Sequence, residues 1–478
     1  MLNSVPIILQ QQCQLDRNLP VLVGVSGGPD SICLAHQLMQ TGYQIVIAHL
    51  NHQLRPEASL EAKQVEQLAQ GWGIPAIFES ANVGNNAQAH HLSIEEAARE
   101  LRYQFLFRAA IQSGAQAVAV GHNADDQVET VLMHLLRGAG PAGLRGMRWR
   151  SLPNPWSHTI PLVRPLLAVW RTDIEAYIHE NQLSVLQDSS NTDTTFFRNR
   201  LRMQVLPYLQ SLNPQIKQAL WQTAELVGTD YEFLTSEVEQ HWQSVIAWNK
   251  SGVIGIKREE FSTLPESLQR ELLRHAVSIL RPGLRDLDYA TVQRTLLFNR
   301  ASILGGQVDM IAGLNLVVEP GTMWLVEKTA EIPGEEWPQI NNNASAILKI
   351  PGRYNLSNDW ELLVQATNCD DGLHSHAVKN TDLYQAWIDA DRVSQPLVLR
   401  ARQPGDVIQI LGLNGQHTKL SDLFINHKIP RRLRAGWPLI AAEETIIWVP
   451  GVQLAHPARL TQNTQRVIHF ALVRQRPE

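Results

Sequence analysis

A chain of 478 residues with 44% hydrophobic side chains has length for roughly two to four domains and is too apolar for global disorder. Its three cysteines, Cys13, Cys33 and Cys369, lie far apart with no C-x-x-C pair, which excludes a disulfide framework, a zinc ribbon and a conventional iron–sulfur site. The net charge of −5 argues against a general polyanion binder. The N-terminus has no basic stretch before a long apolar core, and no apolar run reaches membrane-spanning length, so the expectation is a soluble cytoplasmic protein with no membrane partner.

The apolar run from Val21 to Val25 predicts a buried strand, and it breaks into Ser26-Gly27-Gly28-Pro29-Asp30-Ser31. Ile32, Ala35, Leu38 and Met39 then recur at helix spacing, with Gly42 placed to stop the helix. A strand, a glycine turn and a helix start together form an anion site: glycines let the backbone approach closely, and the free amides of the first helical turn point at the ligand. Ser26 and Ser31 add hydroxyl donors, and Pro29 suits a first turn where its missing N–H costs nothing. A tight βα turn capped by Ser and Asp is the plain structural alternative. No Gly-Lys-Ser/Thr follows and Gly-x-Gly-x-x-Gly is absent, so neither a Walker loop nor a dinucleotide fingerprint is present.

Strand and helix patterns alternate over the first ~210 residues, which predicts a parallel sheet covered by helices. Gln44 to Ala48 is a second strand ending in His49-Leu50-Asn51-His52, Ser59 to Trp72 a helix and Ile74 to Phe78 a third strand. Ser93 and Glu96 form a capping box that opens a long helix through Arg99, Arg102 and Tyr103. Ala115 to Val120 is a fourth strand, running into Gly121-His122-Asn123-Ala124-Asp125-Asp126-Gln127-Val128-Glu129-Thr130. Asp126 and Glu129 are three apart and share a helix face. Such acids can simply complement a helix dipole, but a position after a strand's carboxyl end is where open α/β sheets bind ligands. Two carboxylates there can hold Mg²⁺ or a cationic substrate. His49 and His52 sit at the matching end of the second strand, either as polar loop residues or on the adenine side of a nucleotide.

Charge is unevenly spread. Ala142 to Arg171 holds Arg145, Arg148, Arg150, Arg164 and Arg171 and no acid. Around Asn213-Pro214, read as an N-cap and a first helical residue, the pattern becomes helical only, through Ile216, Leu220, Ala224, Val227, Tyr231, Leu234 and Val238 and again from Leu264 to Leu280. Strand alternation returns from Met310 to Glu327, and a polar, Pro-containing stretch from Ile332 to Asn343 reads as a linker or an exposed loop. Short strands follow at Ala346 to Ile350, Trp360 to Val364 and Ile446 to Val449, with a short helix from Lys419 to Asn426. From Arg400 to Arg434 seven basic residues stand against Asp406 and Asp422, a local net of +5.

The Ser26 to Ser31 string resembles the phosphate loop of the PP-loop adenylating enzymes. Together with His49-Leu50-Asn51-His52-Gln53-Leu54-Arg55, Gly121 to Thr130, Leu135-Leu136-Arg137-Gly138, Arg164-Pro165-Leu166-Leu167, Asp188-Ser189-Ser190-Asn191 and Arg198-Asn199-Arg200-Leu201-Arg202, the set is similar to the tRNA(Ile)-lysidine synthases. The strong likeness covers the first ~210 residues, and a weaker one returns in the last ~80.

That resemblance implies an ATP-dependent carbon–nitrogen ligase: ATP adenylates O2 of the wobble cytidine of a CAU anticodon, and free lysine displaces AMP at C2, changing decoding from AUG to AUA. It implies an α/β protein with a Rossmann-like, parallel-sheet PP-loop domain (1–212), a helical middle domain with trailing strands (213–330), a linker and strand-rich connection (331–395) and a small mixed C-terminal tRNA-binding domain (396–478). Ser26, Gly27, Gly28, Pro29, Asp30, Ser31, His49, His52 and His122 would bind ATP; Asp30, Asp126 and Glu129 would be catalytic, with Asp30 and Asp126 on Mg²⁺ and Asp126 and Glu129 attracting the lysine ammonium. Arg198, Arg200, Arg202, Arg400, Arg402, Lys428, Arg431 and Arg432 would bind tRNA(Ile), and a homodimer is left open. Asn123 stands where many members have a second His, and Gln187 where an acid is common, so neither role carries over. A PP-loop tRNA thiolase is the nearest rival, which the unpaired cysteines disfavour; a small-molecule ligase leaves the arginine segments unexplained, and a non-catalytic tRNA binder leaves Asp126 and Glu129 unexplained.

Overall fold

The computed structural model describes residues 2–53, 58–186, 197–250, 252–282, 284, 287–301, 306–334, 336–340, 345–411 and 416–475. Leu54 and Arg55 of the second motif, the Gln187 to Asn191 stretch and Asn341 to Asn343 lie outside these residues. The chain forms two compact units, Met1–Phe233 and Leu234–Glu478.

The first unit holds β1 (Val21–Gly24), β2 (Ile45–Asn51), β3 (Ala76–Ser80), β4 (Ala117–Ala119), β5 (Arg150–Ser151) and β6 (Leu162–Val163), in the sheet order β3-β2-β1-β4-β6-β5. All pairs are parallel except β5 on β6. Its helices are α1 (Val5–Gln11), α2 (Pro29–Gln40), α3 (Ala58–Trp72), α4 (Val83–His90), α5 (Ile94–Gln112), α6 (Ala124–Leu136), α7 (Pro141–Leu144) and α8 (Arg171–Glu180). Strand alternation divides the core into two layers. Val21, Val23, Ile45, Ile47, Ala117 and Ala119 pack with Ile32, Leu34 and Leu38 of α2 and Ile174 of α8. Leu22, Val46, Ala48 and Val118 point the other way, onto Tyr103, Leu106 and Ala110 of α5. Strands buried on both faces read as continuous apolar runs, which is why β1, β2 and β4 stand out in the sequence.

Some boundaries differ from expectation. β2 runs on through His49 and Leu50 to Asn51, because β3 pairs it as far as Asn51 with Ser80. β3 starts at Ala76 rather than Ile74: the Ile74 amide closes the α3 end on Ala69, and Pro75 has no amide to give a ladder. The helix expected to begin at Pro214 is Ile216–Val245, two residues later. Asn213 is extended (φ −142°, ψ 104°) and ends the preceding helix, Leu206–Leu212, while its side-chain oxygen accepts from the Gln215 amide at 3.0 Å, forming a turn before the helix begins.

In the second unit the middle region is helical, with Arg258–Thr263, Glu266–Leu280 and Tyr289–Arg300, and it also carries a five-stranded antiparallel sheet. Its strands are, in order, Ile246–Lys250, Val253–Lys257, Thr322–Glu327, Leu314–Val318 and Gly306–Asp309. The Ile246–Lys257 hairpin was not among the expected elements. Phe261, Leu272, Leu273 and Ala276 pack on Ile254, Ile256, Leu316 and Leu325. The rest holds a five-stranded and a four-stranded antiparallel sheet, whose inner faces meet through Leu362, Val364, Ile388, Leu399, Ile440, Trp448 and Phe470, and a two-stranded one of Val407–Gln409 and His417–Lys419. Strands Trp360–Asn368 and Gln385–Asp389 flank Arg466–Arg474, so residues 345–395 share a core with the C-terminal segment.

Candidate active site

Ser26 to Ser31 connects β1 to α2, and its geometry leaves the helix start open. Gly28 is the N-cap (φ −74°, ψ 162°) with no side-chain cap, and Pro29 follows. Gly27 has φ +93°, a left-handed conformation, and a Cβ there would lie 2.2 Å from Leu186 Cδ1. Buried Ser31 ties the loop: its Oγ donates to Gly28 O (3.0 Å), accepts from Ser26 N (3.2 Å) and lies 3.3 Å from Ser26 Oγ. The loop and the first turn of α2 border a cavity of about 910 Å³ lined by Ser26, Gly28, Asp30, Ser31, His49, His52, Arg102, His122, Asp126 and Arg202, among others.

The loop after β4 presses on this turn. A Cβ on Gly121 would come within 2.9 Å of the Asp30 carbonyl carbon and 3.0 Å of the Ser31 nitrogen. Asn123 joins the two loops: it is 2% exposed and donates through Nδ2 to Asp30 Oδ1 at 2.9 Å. It also caps α6, its Oδ1 accepting from Asp126 N (3.0 Å) while its own amide donates to Asp126 Oδ2 (3.1 Å). Burial pushes the carboxyls of Asp30 and Asp126 above the usual Asp range; the Asn123 amide opposes this at Asp30 and the Arg198 charge at Asp126.

The histidines are neutral acceptors or donors. His49 is buried within β2, and its Nδ1 lies 2.8 Å from Val25 O, so that nitrogen carries the proton. Burial lowers its pKa. At His52, burial and the nearby Arg102 charge bring the pKa down to about 4, and His122 falls well below its ordinary value for the same reason, with Arg164 adding to it. The Nδ1 atoms of His52 and His122 are buried with no partner among the described residues.

Glu129 is 1% exposed and takes hydrogen bonds from Arg198 Nε (2.7 Å), Arg202 Nε (2.6 Å) and Arg202 Nη2 (3.1 Å). Arg198 Nη2 also donates to Asp126 Oδ1 at 3.0 Å. The structure therefore places Arg198 and Arg202 on the two acids, while Arg200 is exposed and stacks over Phe197. Burial weakens both guanidinium charges, but the acids outweigh it and raise their pKa values.

Away from this cavity, Arg400 forms a bidentate pair with Asp406 (2.8 and 3.0 Å), and Arg432 holds buried Glu319 (3.0 Å) and the Pro333 carbonyl (2.8 Å). Arg402, Lys428 and Arg431 make no ion pair with a described residue. Of the acid-free segment, Arg164 is buried on Arg148 O and Ser151 Oγ, Arg148 pairs with Glu232, Arg171 with Glu175, and Arg145 stacks on Tyr231.

Sequence reasoning missed two residues of the site. One is Asn123 as the bridge from Asp30 to α6; its only local signal is the Asn-x-x-Asp capping pattern. The other is Arg102 on α5, which lines the cavity with no carboxylate partner among the described residues and whose pKa burial lowers. Its signal is Tyr103, the core-facing neighbour over which Arg99 and Arg102 both lie.

Residues 5–209, which carry the parallel sheet, the open glycine-rich helix start and the buried acids, match the PP-loop domain model, so the first unit is a PP-loop domain. Residues 397–470 match the TilS substrate C-terminal domain. A tRNA(Ile)-lysidine synthase from Dehalococcoides mccartyi is 32% identical over 459 residues, covering 94% of each chain. One from Geobacter sulfurreducens is 33% identical over 452 residues, covering 93% of this chain and 91% of that one. A crystal structure of a TILS C-terminal domain matches 28% of this chain and 98% of its own, with 25% identity and a TM-score of 0.25. The chain belongs to the tRNA(Ile)-lysidine synthase family. Among the described residues no helix is long and apolar enough to cross a membrane.

Proposed function

We propose that the chain uses ATP to activate the wobble cytidine of a tRNA with a CAU anticodon and joins free lysine to it. The observation that carries this reading is one cavity in which an uncapped helix start, a phosphate-loop geometry, faces the carboxylate of Asp126 on the neighbouring helix. Family membership supplies the reaction. In the first step cytidine O2 attacks the α-phosphorus of ATP and pyrophosphate leaves; in the second a lysine amine, having shed its proton, bonds to C2, and the C2–O2 bond breaks with AMP as leaving group. Activation is needed because a bare pyrimidine oxygen leaves poorly.

The amides of Asp30 and Ser31 and the hydroxyl of Ser26 bind phosphate oxygens, and Arg102, with no carboxylate partner among the described residues, adds a guanidinium on the same cavity wall. Neutral His49, His52 and His122 serve the nucleoside as polar, uncharged contacts. Asp126 and Glu129 attract the lysine ammonium. Asp30 and Asp126 fit Mg²⁺: both border the cavity, and Mg²⁺ takes one or two carboxylates beside substrate phosphates. Bound there, it would neutralise phosphate charge. Arg402, Lys428 and Arg431, which pair with no carboxylate among the described residues, are the C-terminal groups we assign to tRNA phosphates. Incorporation of labelled lysine into a CAU-anticodon tRNA(Ile) transcript, with and without ATP, tests the reading. ATP-dependent labelling is expected, and its absence with a folded protein overturns the assignment.

A further inference from the structure

The two acids given to the lysine ammonium already have cations. Glu129 is 1% exposed, and its oxygens accept three hydrogen bonds from Arg198 and Arg202. Asp126 Oδ1 accepts from Arg198 Nη2 at 3.0 Å, with Arg202 Nη2 3.7 Å away. Two carboxylates and two guanidiniums leave no net charge for a third cation to find. The lining is equally telling: Asp126 and Arg202 border the cavity, whereas Glu129 and Arg198 do not. An ammonium arriving from the cavity meets Arg202 before Glu129.

We infer that Arg202 is the resident cation of the lysine subsite and exchanges with the substrate. When the lysine ammonium arrives, Arg202 releases Glu129 and its guanidinium turns to the anionic groups in the cavity. This rests on the reading of Asp126 and Glu129 as the lysine site. The exchange has a physical logic on both sides. A buried carboxylate stripped of its partner is strongly destabilising, so the lysine-free site needs a resident cation. A guanidinium and an ammonium both satisfy a carboxylate through charge-assisted bonds, so the substrate can take the place of Arg202, with a point charge standing where the fork stood and Arg198 still bonded to Glu129. Arg202 also lies in a π-helical turn, Leu201–Val205, between the helices Phe197–Arg200 and Leu206–Leu212. Such a turn is a local irregularity of the kind found at functional sites. Arg198 bridges both acids and stays as their fixed partner.

The test is calorimetric binding of L-lysine to the full chain, without ATP or tRNA, for the wild type, Arg202→Gln, Arg202→Lys and Glu129→Gln. Removing the resident cation in Arg202→Gln should tighten lysine binding by at least about tenfold, the scale of one charge-assisted hydrogen bond. Arg202→Lys, a point charge without the fork, should fall between the two. The melting temperature of Arg202→Gln should rise more on adding lysine than that of the wild type, a readout that also reports folding. Glu129→Gln should lose lysine affinity. If it does while folded Arg202→Gln binds lysine no better than the wild type, the exchange is wrong and Arg202 is a fixed part of the site. If Glu129→Gln leaves lysine binding unchanged, the acid pair is not the lysine site, and the functional reading fails with it.

Discussion

β1 and β4 are neighbours in one sheet, and each feeds a helix from its carboxyl end, yet the two helix starts are built in opposite ways. α2 begins at Gly28 with no side chain on its first-turn amides. α6 begins at Asn123 with a full capping box, so its end amides are spent on Asn123 and Asp126. An open helix start attracts anions, because its amides and dipole are unsatisfied. A self-capped start surrounded by carboxylates has reversed that preference and attracts cations. Side by side, one start is left open to an anion and the other has its carboxylates on the guanidiniums of Arg198 and Arg202, and the difference comes down to Gly-Gly-Pro in one turn and Asn-x-x-Asp in the other.

The comparison breaks most sharply at Ser31. Its hydroxyl donates to Gly28 O and accepts from Ser26 N, so it shapes the open start rather than capping it. Ser31→Ala should lower ATP-dependent pyrophosphate release by roughly 100-fold or more, the cost of disordering a pre-aimed donor set. Unchanged pyrophosphate release by a folded variant would return the turn to a plain βα connection.

Next in size is a stability effect at the end of β2, beside both starts. His52 has a folded pKa of about 4 against an ordinary 6.5, with burial as the main cause. Between those values the unfolded chain binds the proton and the folded chain does not, so stability is full above pH 6.5 and falls as pH drops towards 4. His52→Gln should remove on the order of 2 kcal/mol of the stability lost between pH 7.5 and pH 5. Urea unfolding at the two pH values measures it; identical losses in variant and wild type would mean that His52 charges freely in the folded protein.

Asn123→Asp sharpens the contrast by keeping the cap and removing only the bridge. Asp is as good an N-cap as Asn, so α6 should remain intact. The donor to Asp30 Oδ1 becomes a repelling oxygen, and a third carboxylate joins Asp30 and Asp126. ATP binding should weaken by about tenfold, since one lost charge-assisted bond is worth about that much, and the melting temperature should fall as well, because the new carboxylate is buried beside two others while α6 keeps its cap. Asn123→Ser, which caps without reaching Asp30, should fall between. Equal ATP affinity in all three proteins would make the bridge incidental.

How much of this was legible in the sequence follows from the range of each interaction. The doubly covered sheet was readable because strands buried on both faces are unbroken apolar runs, and the glycine turn because Gly27 needs φ +93°. The Ser93 capping box was readable because it closes over three residues. The Ile246–Lys257 hairpin was not, because its short strands lie directly between helices and only pairing with Thr322–Glu327 makes them a sheet. Long-range polar partners were the least visible. Asn123 reaches Asp30 across 93 positions, and Arg198 and Arg202 read as phosphate forks until the fold sets Glu129 between them.

That lesson, partnered against unpartnered charge, extends to the C-terminal basic run and yields the smallest expected effect. By composition Arg400, Arg402, Lys428, Arg431 and Arg432 are equivalent members of a cluster of local net +5. In the fold Arg400 is locked to Asp406, and Arg432 to Glu319, which also accepts from the Trp324 indole. Arg431 is exposed, and with Arg402 it depresses the pKa of Arg434, whose burial is the larger cause. Like charges held together with no acid among the described residues repel one another, and an arriving anion would relieve that repulsion. Arg431→Ala should weaken tRNA binding a few-fold at physiological salt and flatten the log–log salt slope by about 0.7 to 0.9, one phosphate contact. Arg400→Ala should leave that slope unchanged and lower the melting temperature instead, because it strands the largely buried Asp406 carboxylate. Titrating tRNA across a salt series, with a thermal melt of each variant, separates the two kinds of arginine. A flattened slope for Arg400→Ala and none for Arg431→Ala would show that the Arg400–Asp406 pair opens to meet the RNA, and the partnered half of the cluster would then be the contact surface.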